Sequence, residues 1–203
     1  MRCLAILGAS GHGKVVAEIA ELTGWDEVLF FDDAFPSVKV NGNWSVNGTT
    51  EDLITNMDGF SAVIVAIGDN QIRLDKSKYL LSKGFKLATL MHPSSIVSKY
   101  VKIDDGTVVM AGAVINPFAC IGLGSIINTA CSIDHDCMIA DGVHISPGAH
   151  IAGGASIGKM SWLGIGCAVK QGVEIGTSVT VAAGAVVITD IPNNSLVKGV
   201  PAK

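Results

Sequence analysis

The sequence lacks the features by which nucleic-acid-binding and membrane-spanning proteins are usually recognised. Only 16% of its 203 residues are charged, the formal net charge is −4, and no basic footprint for nucleic acid is present. Although 49% of the residues are hydrophobic, no uninterrupted apolar run approaches the roughly eighteen residues of a transmembrane helix. We therefore expect neither a nucleic-acid partner nor a membrane span.

Disulfide and targeting motifs are also missing. The five cysteines are scattered and form no C-x-x-C pair, and Met1-Arg2 leads directly into a short apolar strand pattern without a signal peptide. Free thiols in a reducing compartment are the simplest interpretation, because disulfides persist in oxidising compartments. We therefore expect a cytoplasmic protein.

The most regular feature of the chain is a six-residue repeat between positions 97 and 187. Four positions after each repeated residue stands a mostly small or β-branched residue, and glycine often directly precedes it. The repeated residues are all aliphatic and follow one another without insertion: Val97, Ile103, Val109, Ile115, Ile121, Ile127, Ile133, Ile139, Ile145, Ile151, Ile157, Leu163, Val169, Ile175, Val181 and Val187.

A period of six fits neither an α-helix nor a single strand, whose side-chain periods are about 3.6 and 2 residues. It fits a coil of short strands joined by similar corners, in which three repeats form one triangular turn of eighteen residues. Successive turns of such a parallel β-helix stack at about 4.8 Å, and their inward aliphatic residues form a continuous core. An ordinary β-sandwich is the alternative, but the unbroken repeat disfavours it.

The first ninety-two residues lack the repeat and predict a small α/β domain instead. Residues 2–7 have the pattern of a buried strand, the turn Gly8–Gly13 follows with the spacing G-x-x-G-x-G, and residues 14–22 have a helical pattern. A glycine turn between a strand and a helix can bind phosphate through backbone N–H groups. Because the spacing differs from the dinucleotide pattern G-x-G-x-x-G, a nicotinamide cofactor is not indicated.

The region continues as an alternation of strands and helices. The further predicted elements are strands at 28–31, 61–67 and 87–91 and helices at 50–57 and 70–83. We divide the chain into a Rossmann-like βαβ domain, residues 1–92, and a β-helix domain with a short tail, residues 93–203. Ligand crevices of parallel sheets lie at the carboxyl ends of the strands. Six candidate binding residues lie there: Ser10, Gly11, His12, Asp32, Asp33 and Gly68.

One corner of the predicted coil carries His135 followed by Asp136. A carboxylate beside a histidine fixes the tautomer of the imidazole and raises its basicity, so His135 is a candidate general base. Gly153 follows one turn later, and we expect it to leave room for a reacting group and to offer its N–H to an oxyanion. Asn128 is another polar residue, near the preceding corner. A solvated surface histidine is the alternative interpretation.

A second histidine, His144, is nine residues from His135, which is half a turn of the coil. The two side chains then lie on different sides of one prism, so a shared active site must form between subunits, and we expect a homotrimer. Beyond His144 the spacing predicts a column of residues along the coil axis, suited to the extended pantetheine arm of coenzyme A. The column consists of Pro147, Ile165, Ala183 and Pro201.

The repeat resembles the hexapeptide-repeat acyltransferases, whose [LIV]-G-x-x-x-x signature occurs at Ile121-Gly122, Ile157-Gly158, Leu163-Gly164 and Ile175-Gly176. The resemblance implies that the β-helix is left-handed. Over its whole length the chain is similar to the sugar-nucleotide acetyltransferases of the bacillosamine pathway, with sialic acid O-acetyltransferases as close relatives. The motifs that carry this similarity are Gly8–Gly13, Phe31–Asp33, Ile67–Asn70 with Arg73, Asn128, His135, His144 and the Gly-Val-Pro-Ala-Lys ending.

This resemblance implies an acetyl-CoA-dependent N-acetyltransferase that acts on the 4-amino group of a UDP-linked amino-dideoxy sugar in bacterial glycan or glycoprotein synthesis. By motif position, His135 matches the catalytic base, Asp136 its acidic neighbour, and the six N-terminal crevice residues the sugar-nucleotide site. Contacts to acetyl-CoA are matched by His144, Ile165 and Ala183, and no metal is implied. Two positions depart from the bacillosamine enzyme, which has Glu in place of Asp136 and Gly in place of Ala183.

Three alternatives stay open. O-acetylation of a sugar hydroxyl would use the same base. A β-helix carbonic anhydrase would bind zinc through three histidines, but His144 and His150 lie on successive faces and no third ligand has a suitable spacing. A non-enzymatic sugar-nucleotide sensor would have no use for His135 beside Asp136.

Overall fold

The computed structural model describes every residue, Met1–Lys203. The chain divides into two compact units, Met1–Pro93 and Ser94–Lys203. None of its helices has the length and apolar character required to cross a lipid bilayer. The two units have different architectures and are described in turn.

The first unit is built on a three-stranded parallel sheet in the order β2-β1-β5. Its elements are β1 (Cys3–Leu7), α1 (Gly11–Leu22), β2 (Glu27–Phe31), β3 (Val40–Asn41), β4 (Trp44–Ser45), α2 (Thr50–Thr55), a 3₁₀ turn (Met57–Gly59), β5 (Ala62–Val65), α3 (Asn70–Ser82) and β6 (Leu90–Met91). Every residue of β1 and β5 is buried. Both strands are therefore continuous apolar runs, as expected for strands covered on both faces.

The helix ends of this unit follow from their capping residues. α1 begins at Gly11, earlier than predicted. Thr49 caps α2 through a capping box with Asp52. Asp69 caps α3, and its carboxylate accepts a backbone N–H of the first turn at 2.9 Å. Gly84 follows α3 with φ of 92°, a left-handed conformation that glycine adopts without steric cost.

The fourth predicted strand is corrected by the structure. Instead of a continuous strand at 87–91, Leu87 makes one parallel bridge with Val63, and only Leu90–Met91 is extended as β6. The Ala88 N–H donates to the Val63 carbonyl at 2.8 Å, which completes the pairing with β5. Short apolar runs do not distinguish a strand from another buried segment, which explains the error.

The second unit confirms the parallel β-helix predicted from the repeat. Its strands are two residues long and lie on three faces, and parallel partners such as Ile115 and Ile133 are eighteen residues apart. The first face contains Ile96–Val97, Val114–Ile115, Ser132–Ile133, His150–Ile151, Ala168–Val169 and Val186–Val187; the second contains Lys102–Ile103, Cys120–Ile121, Met138–Ile139, Ser156–Ile157 and Glu174–Ile175; the third contains Val108–Val109, Ile126–Ile127, His144–Ile145, Trp162–Leu163, Thr180–Val181 and Leu196–Val197.

The repeated aliphatic residues form the interior of the coil. All are buried except Val97 and Ile103 of the first turn, which are partly buried against the same core. Burial of each such side chain contributes roughly 1.5–3 kcal/mol. Buried polar members of the second series are satisfied between turns, since the Ser161 hydroxyl donates to the Gly176 carbonyl at 2.7 Å.

The corners of the coil place one residue each in a left-handed conformation, called here the left-handed corner position. Nine of these positions, with φ between 62° and 71°, are glycine: Gly106, Gly112, Gly124, Gly142, Gly148, Gly154, Gly166, Gly172 and Gly184. Six others, with φ between 53° and 65°, carry a side chain: Phe118, Ala130, Asp136, Met160, Ser178 and Asn194. Because a Cβ is strained in this conformation, these six corners depart from what the backbone favours.

The last turn is two residues shorter than the others. Val181 pairs with Val197, so the register advances by sixteen residues there. The prediction that Pro201 continues the column above Ala183 is therefore wrong, and by register Gly199 holds that place. The six-residue repeat ends at position 187 and therefore does not predict the shortening of the last turn.

We predict that Ile145→Ala strongly destabilises the protein. Ile145 is fully buried and lies in the interior ladder between its pairing partners Ile127 and Leu163. Removing its side chain should cost about 2–5 kcal/mol, because a stacked coil cannot collapse around the cavity. Urea unfolding measures the loss, and Leu196→Ala, at a position on the third face that is 67% exposed, should change little. Equal effects of the two variants would contradict the interior ladder.

Candidate active site

His135 and Asp136 form a pair at the corner that leads from the first face to the second. His135 Nδ1 lies 2.8 Å from Asp136 Oδ2, and both side chains are more than 60% exposed, at 66% and 63%. Since a carboxylate only accepts, Nδ1 carries the proton, and in the neutral tautomer Nε2 is left as the acceptor. Asp136 occupies a left-handed corner position, with φ of 60°. The pair has the composition of a general base with its orienting carboxylate.

Gly153 packs directly against the imidazole of His135. A Cβ built at this glycine would lie 2.7 Å from both Cε1 and Nε2 of the ring. The expectation that Gly153 leaves room for a reacting group therefore needs correction, because the ring itself fills that space. The absence of a side chain here instead permits the position that His135 adopts.

Asn128 lies with His144 on the third face and not with His135. Its Oδ1 accepts the Thr129 N–H at 2.8 Å, which turns its Nδ2 toward His144 Nε2 at 3.1 Å. Nε2 of His144 is therefore the acceptor of this contact, which corresponds to the tautomer with its proton on Nδ1. Within one chain Asn128 is therefore grouped with His144 and not with His135 and Asp136, and its predicted catalytic role stays a prediction.

Trp162 belongs to the same cluster and was missed by the sequence analysis. Its ring stacks on His144 with 5.6 Å between centroids and an interplanar angle of 3°, and its Nε1 donates to Ser146 Oγ at 2.7 Å. The stack fixes the orientation of the His144 ring. The signal that could have found Trp162 is its position eighteen residues after His144.

The column beside this cluster lies along the corner from the third face to the first. Its stacking is seen in two backbone bonds, from Gly166 N–H to the Pro147 carbonyl at 3.0 Å and from Gly184 N–H to the Ile165 carbonyl at 2.8 Å. Ile165 is 62% exposed, and Ala183 is also exposed. These outward residues form a straight apolar edge over successive turns.

The first unit has a cleft of about 310 Å³ at the carboxyl ends of its strands. Four of the six predicted binding residues line it, together with residues of β1, α3 and the connecting turns: Ser10, Asp32, Asp33 and Gly68. Gly11 and His12 are not among the lining residues. The predicted residues at the strand ends therefore line the cleft, whereas the binding roles of Gly11 and His12 in the first turn of α1 stay predictions.

The two aspartates of the cleft also form hydrogen bonds and an ion pair within the first unit. Asp32 Oδ2 accepts the Ala9 N–H at 2.7 Å and so fixes the glycine turn. Asp33 accepts the Thr50 N–H at 2.8 Å and forms an ion pair with Lys76 at 2.9 Å. Partial burial alone would raise the pKa of Asp33, but these partners lower it to about 2.

His12 is a partly buried histidine whose ring nitrogen Nε2 has no hydrogen-bond partner. Burial, together with the nearby Arg73 guanidinium, lowers the pKa of His12 to about 4. The ring is therefore neutral at physiological pH. Next to it, a Cβ at Gly13 would lie 2.5 Å from the Gly8 carbonyl oxygen, which explains why the turn requires glycine at position 13.

Arg73 is the most deeply buried charge of the chain, at 1% exposure. Its guanidinium donates to the carbonyls of Ile67 and Gly68 at 3.0 and 3.1 Å and to Asn70 Oδ1 at 2.8 Å. Burial lowers the pKa of Arg73 to about 10, so it stays charged. Arg73 thus holds the turn that forms one wall of the cleft.

No three His, Cys, Asp or Glu side chains are grouped so that they could hold a metal ion. His144 lies on the third face, whereas His150 lies on the first and has its Nδ1 2.8 Å from Ser132 Oγ. The arrangement that a three-histidine zinc site requires is not present.

The fold and these groups define a class, the hexapeptide-repeat β-helix proteins with an N-terminal α/β unit. Residues 3–80 match the family model described as the PglD N-terminal domain. A curated relative, UDP-N-acetylbacillosamine N-acetyltransferase of Bacillus subtilis (strain 168), is 35% identical over 115 residues. That alignment covers 55% of this chain and 52% of the relative, so the chain spans about half the length of the curated relative it matches.

Two solved structures are similar over nearly their whole length. The acetyltransferase domain of PglB from Neisseria gonorrhoeae FA1090, in complex with acetyl coenzyme A, is 42% identical with a TM-score of 0.95, and the match covers 100% of this chain and 98% of that one. PerB from Caulobacter crescentus, in complex with CoA and GDP-perosamine, is 39% identical with a TM-score of 0.94, covering 100% and 97%. The chain belongs to the family of hexapeptide-repeat sugar-nucleotide acetyltransferases that includes these proteins.

We predict that Gly153→Ala impairs catalysis without unfolding the coil. The new methyl group would overlap the His135 ring and displace it, while the backbone of Gly153 is not in the left-handed region and accepts alanine. If His135 acts as the predicted base, turnover should fall about tenfold or more, since a small misplacement of a catalytic group is costly. In the matched control, Gly59→Ala, no atom lies within 4 Å of the added methyl group. Wild-type turnover of Gly153→Ala would show that the ring contact does not matter.

Proposed function

We propose that this protein is an acetyl-CoA-dependent N-acetyltransferase that acetylates the 4-amino group of a UDP-linked amino-dideoxy sugar for bacterial glycan or glycoprotein synthesis. The observation that carries the proposal is the His135–Asp136 pair, because its geometry leaves Nε2 of a neutral imidazole as a proton acceptor. Membership of the family supports the choice of substrates.

In the proposed reaction the neutral amine attacks the thioester carbonyl of acetyl-CoA. A C–N bond forms, the C–S bond breaks, and His135 accepts the proton that the nitrogen loses. Asp136 stabilises the imidazolium that forms, and the sulfur leaves as the thiolate and takes up a proton. The Gly153 N–H is the proposed donor to the oxyanion of the tetrahedral intermediate. No metal ion takes part.

N-acetylation is favoured over O-acetylation by the named relatives. The matched relative of B. subtilis is an N-acetyltransferase, and PerB was solved with GDP-perosamine, an amino sugar nucleotide. Neither name points to a hydroxyl acceptor. A sugar hydroxyl, the sialic acid type of acceptor, remains the second candidate, and the assay below distinguishes the two.

The sugar nucleotide is assigned to the cleft of the first unit. Ser10, Asp32, Asp33 and Gly68 line it, and Lys76 supplies a cation beside the carboxylates. Gly11 at the first residue of α1 offers backbone N–H groups to a phosphate. His12 contributes a neutral ring whose Nε2 has no partner within the protein.

Acetyl-CoA is assigned to the column on the corner between the third and first faces. Ile165 and Ala183 supply its exposed edge, and His144, held by Asn128 and Trp162, lies beside its start. An apolar edge over successive turns suits the extended pantetheine arm, which is elongated along the coil axis. The bound acetyl-CoA of the PglB domain supports this substrate class.

A homotrimer with shared active sites is proposed from the positions of these groups. The His135 corner and the Ile165 corner flank the first face at opposite edges. A three-fold axis in front of the first face would bring the His135 corner of each chain to the Ile165 corner of its neighbour. The outward residues of that face include several small or apolar ones, each partly exposed in one chain: Val114, Ser132, Ala152, Ala168 and Val186.

A cytoplasmic location is proposed from the cysteines. All five are free, and only Cys120 is not buried. Burial raises the pKa of Cys131 to about 12 and of Cys167 to about 11, so these thiols are unreactive small core residues. Such thiols are compatible with a reducing compartment.

We predict that the protein transfers acetyl groups from acetyl-CoA to a UDP-4-amino-4,6-dideoxy sugar and that His135→Ala lowers kcat by roughly 10²–10⁴-fold, the usual contribution of a general base. Binding of acetyl-CoA, measured by calorimetry, should survive the substitution. Asp136→Asn should cost less, because it weakens the base without removing it. The corresponding 4-hydroxy sugar serves as the control acceptor. Faster acetylation of that hydroxyl would favour the O-acetyltransferase, and near-wild-type turnover of His135→Ala would remove the base from the mechanism.

We also predict that two inactive variants complement each other. His135→Ala removes the base, and Ile165→Glu places a charge on the proposed acetyl-CoA column. If each site takes its base from one chain and its column from the next, an equal mixture exchanged into mixed trimers regains about a quarter of wild-type activity. Sedimentation establishes the trimer and the exchange. An active monomer, or exchange without recovery, would contradict shared sites.

A further inference from the structure

An exposed aromatic pair lies on the same corner of the coil as the catalytic pair. Tyr100 and Phe118 are stacked with 5.4 Å between ring centroids and an interplanar angle of 26°. They precede Asp136 by two turns and one turn at the same corner position, and the Asp136 N–H donates to the carbonyl of Pro117 at 3.2 Å. At strand spacing, one turn corresponds to about 4.8 Å. The rings therefore continue the surface that His135 begins.

Phe118 has a backbone conformation that is occupied by glycine at most corners of the coil. Phe118 occupies a left-handed corner position with φ of 65°, a conformation that is an outlier for a bulky residue. Its side chain is 61% exposed, so burial in the core does not compensate for the strain. Strained residues that persist without such compensation concentrate at ligand-binding and catalytic sites.

The aromatic pair has an exposed surface and a cation beside it. Tyr100 is 54% exposed and supports Phe118 from the preceding turn. The ammonium group of Lys99 lies 5.0 Å from the centroid of the Tyr100 ring. Along this corner, the ring of Phe118 lies one turn from Asp136 and the ring of Tyr100 lies two turns from it, with the Lys99 ammonium over the Tyr100 ring.

We propose that Phe118, supported by Tyr100, is a specificity-determining residue that contacts the apolar edge of the acceptor sugar. The proposal rests on the function proposed above. In a 4-amino-4,6-dideoxy sugar, C5 and its methyl group are adjacent to the carbon that carries the amine. With the amine at His135, this edge lies within one turn of the coil and meets the face of Phe118.

The contact would select acceptors by the substituent at C6. A methyl group is buried favourably against an aromatic ring, whereas a hydroxymethyl group would lose hydration there without gaining a hydrogen bond. An apolar contact of this kind discriminates against an added hydroxyl by up to about 100-fold. We therefore expect the enzyme to prefer the 6-deoxy amino sugar to its 6-hydroxy counterpart by about 10–100-fold in kcat/KM.

The decisive variant is Phe118→Gly, which removes the ring and gives the corner the residue that its backbone favours. Its thermal midpoint should be unchanged or higher, because the strain is relieved. The KM for the 6-deoxy acceptor should rise about tenfold and the preference over the 6-hydroxy acceptor should disappear, with the KM for acetyl-CoA unchanged. Met160→Gly is the matched control, since Met160 is a large residue in a left-handed position, with φ of 59°, on a different corner. It should leave both KM values as they are.

Three results would overturn the proposal. The first is an unchanged acceptor KM and C6 preference in Phe118→Gly, and the second is a change confined to acetyl-CoA. The third is dissociation to smaller species in sedimentation, which would make the aromatic pair a contact between subunits. Tyr100→Leu provides a second variant with the Phe118 backbone intact, and it should raise the acceptor KM by a smaller factor.

Direct binding separates this proposal from the proposed function. Calorimetry with the UDP-4-amino-4,6-dideoxy sugar compares the wild type with Phe118→Gly without requiring turnover. If the wild type transfers no acetyl group but binds the sugar more tightly than Phe118→Gly does, the acetyltransferase is refuted and the contact is retained. A wild type that acetylates the sugar and a variant that binds it equally well would refute the contact alone. A wild type that binds no sugar nucleotide would overturn both.

Discussion

Parallel pairing between residues eighteen apart holds the β-helix together and decides what its surface can carry. The pairing stacks Ile127, Ile145 and Leu163 in the interior, and the outward residues of the same turns are stacked with equal regularity. An inserted residue would move every later side chain around the prism and open the core. Functional groups can therefore vary only at outward and corner positions, and they can be combined only in columns along the coil.

At several corners of the coil, the residue present is not the glycine that the backbone conformation favours. A left-handed corner favours glycine, and most of these corners have it. Asp136 and Phe118 occupy consecutive turns of one corner in the same conformation, and both have largely exposed side chains. Burial in the core does not offset the strain at either position, and we relate its cost to what the side chains contact at the surface. The pairing of Asp136 with His135 is one such contact, and the acceptor beside Phe118 is the proposed second.

Much of the fold and part of the site could be predicted from the sequence, because periodic burial fixes register. The repeat predicted the interior ladder, and the eighteen-residue step placed Gly153 against His135. Short-range side-chain orientation could not be predicted. The amide of Asn128 turns toward His144 because the Thr129 N–H holds its oxygen, and no pattern encodes that bond. The shortened last turn could not be predicted from the sequence either, since it begins where the repeat ends.

In the proposed trimer, the base and the acyl donor lie on opposite edges of the first face and meet only between chains. A crystal structure of the protein with coenzyme A and a UDP-4-amino-4,6-dideoxy sugar tests it most directly. We expect CoA along the Pro147, Ile165 and Ala183 column of one subunit, with its sulfur nearest the His135 of the adjacent subunit. A sulfur that lies against the His135 of the chain whose column binds the CoA would contradict it.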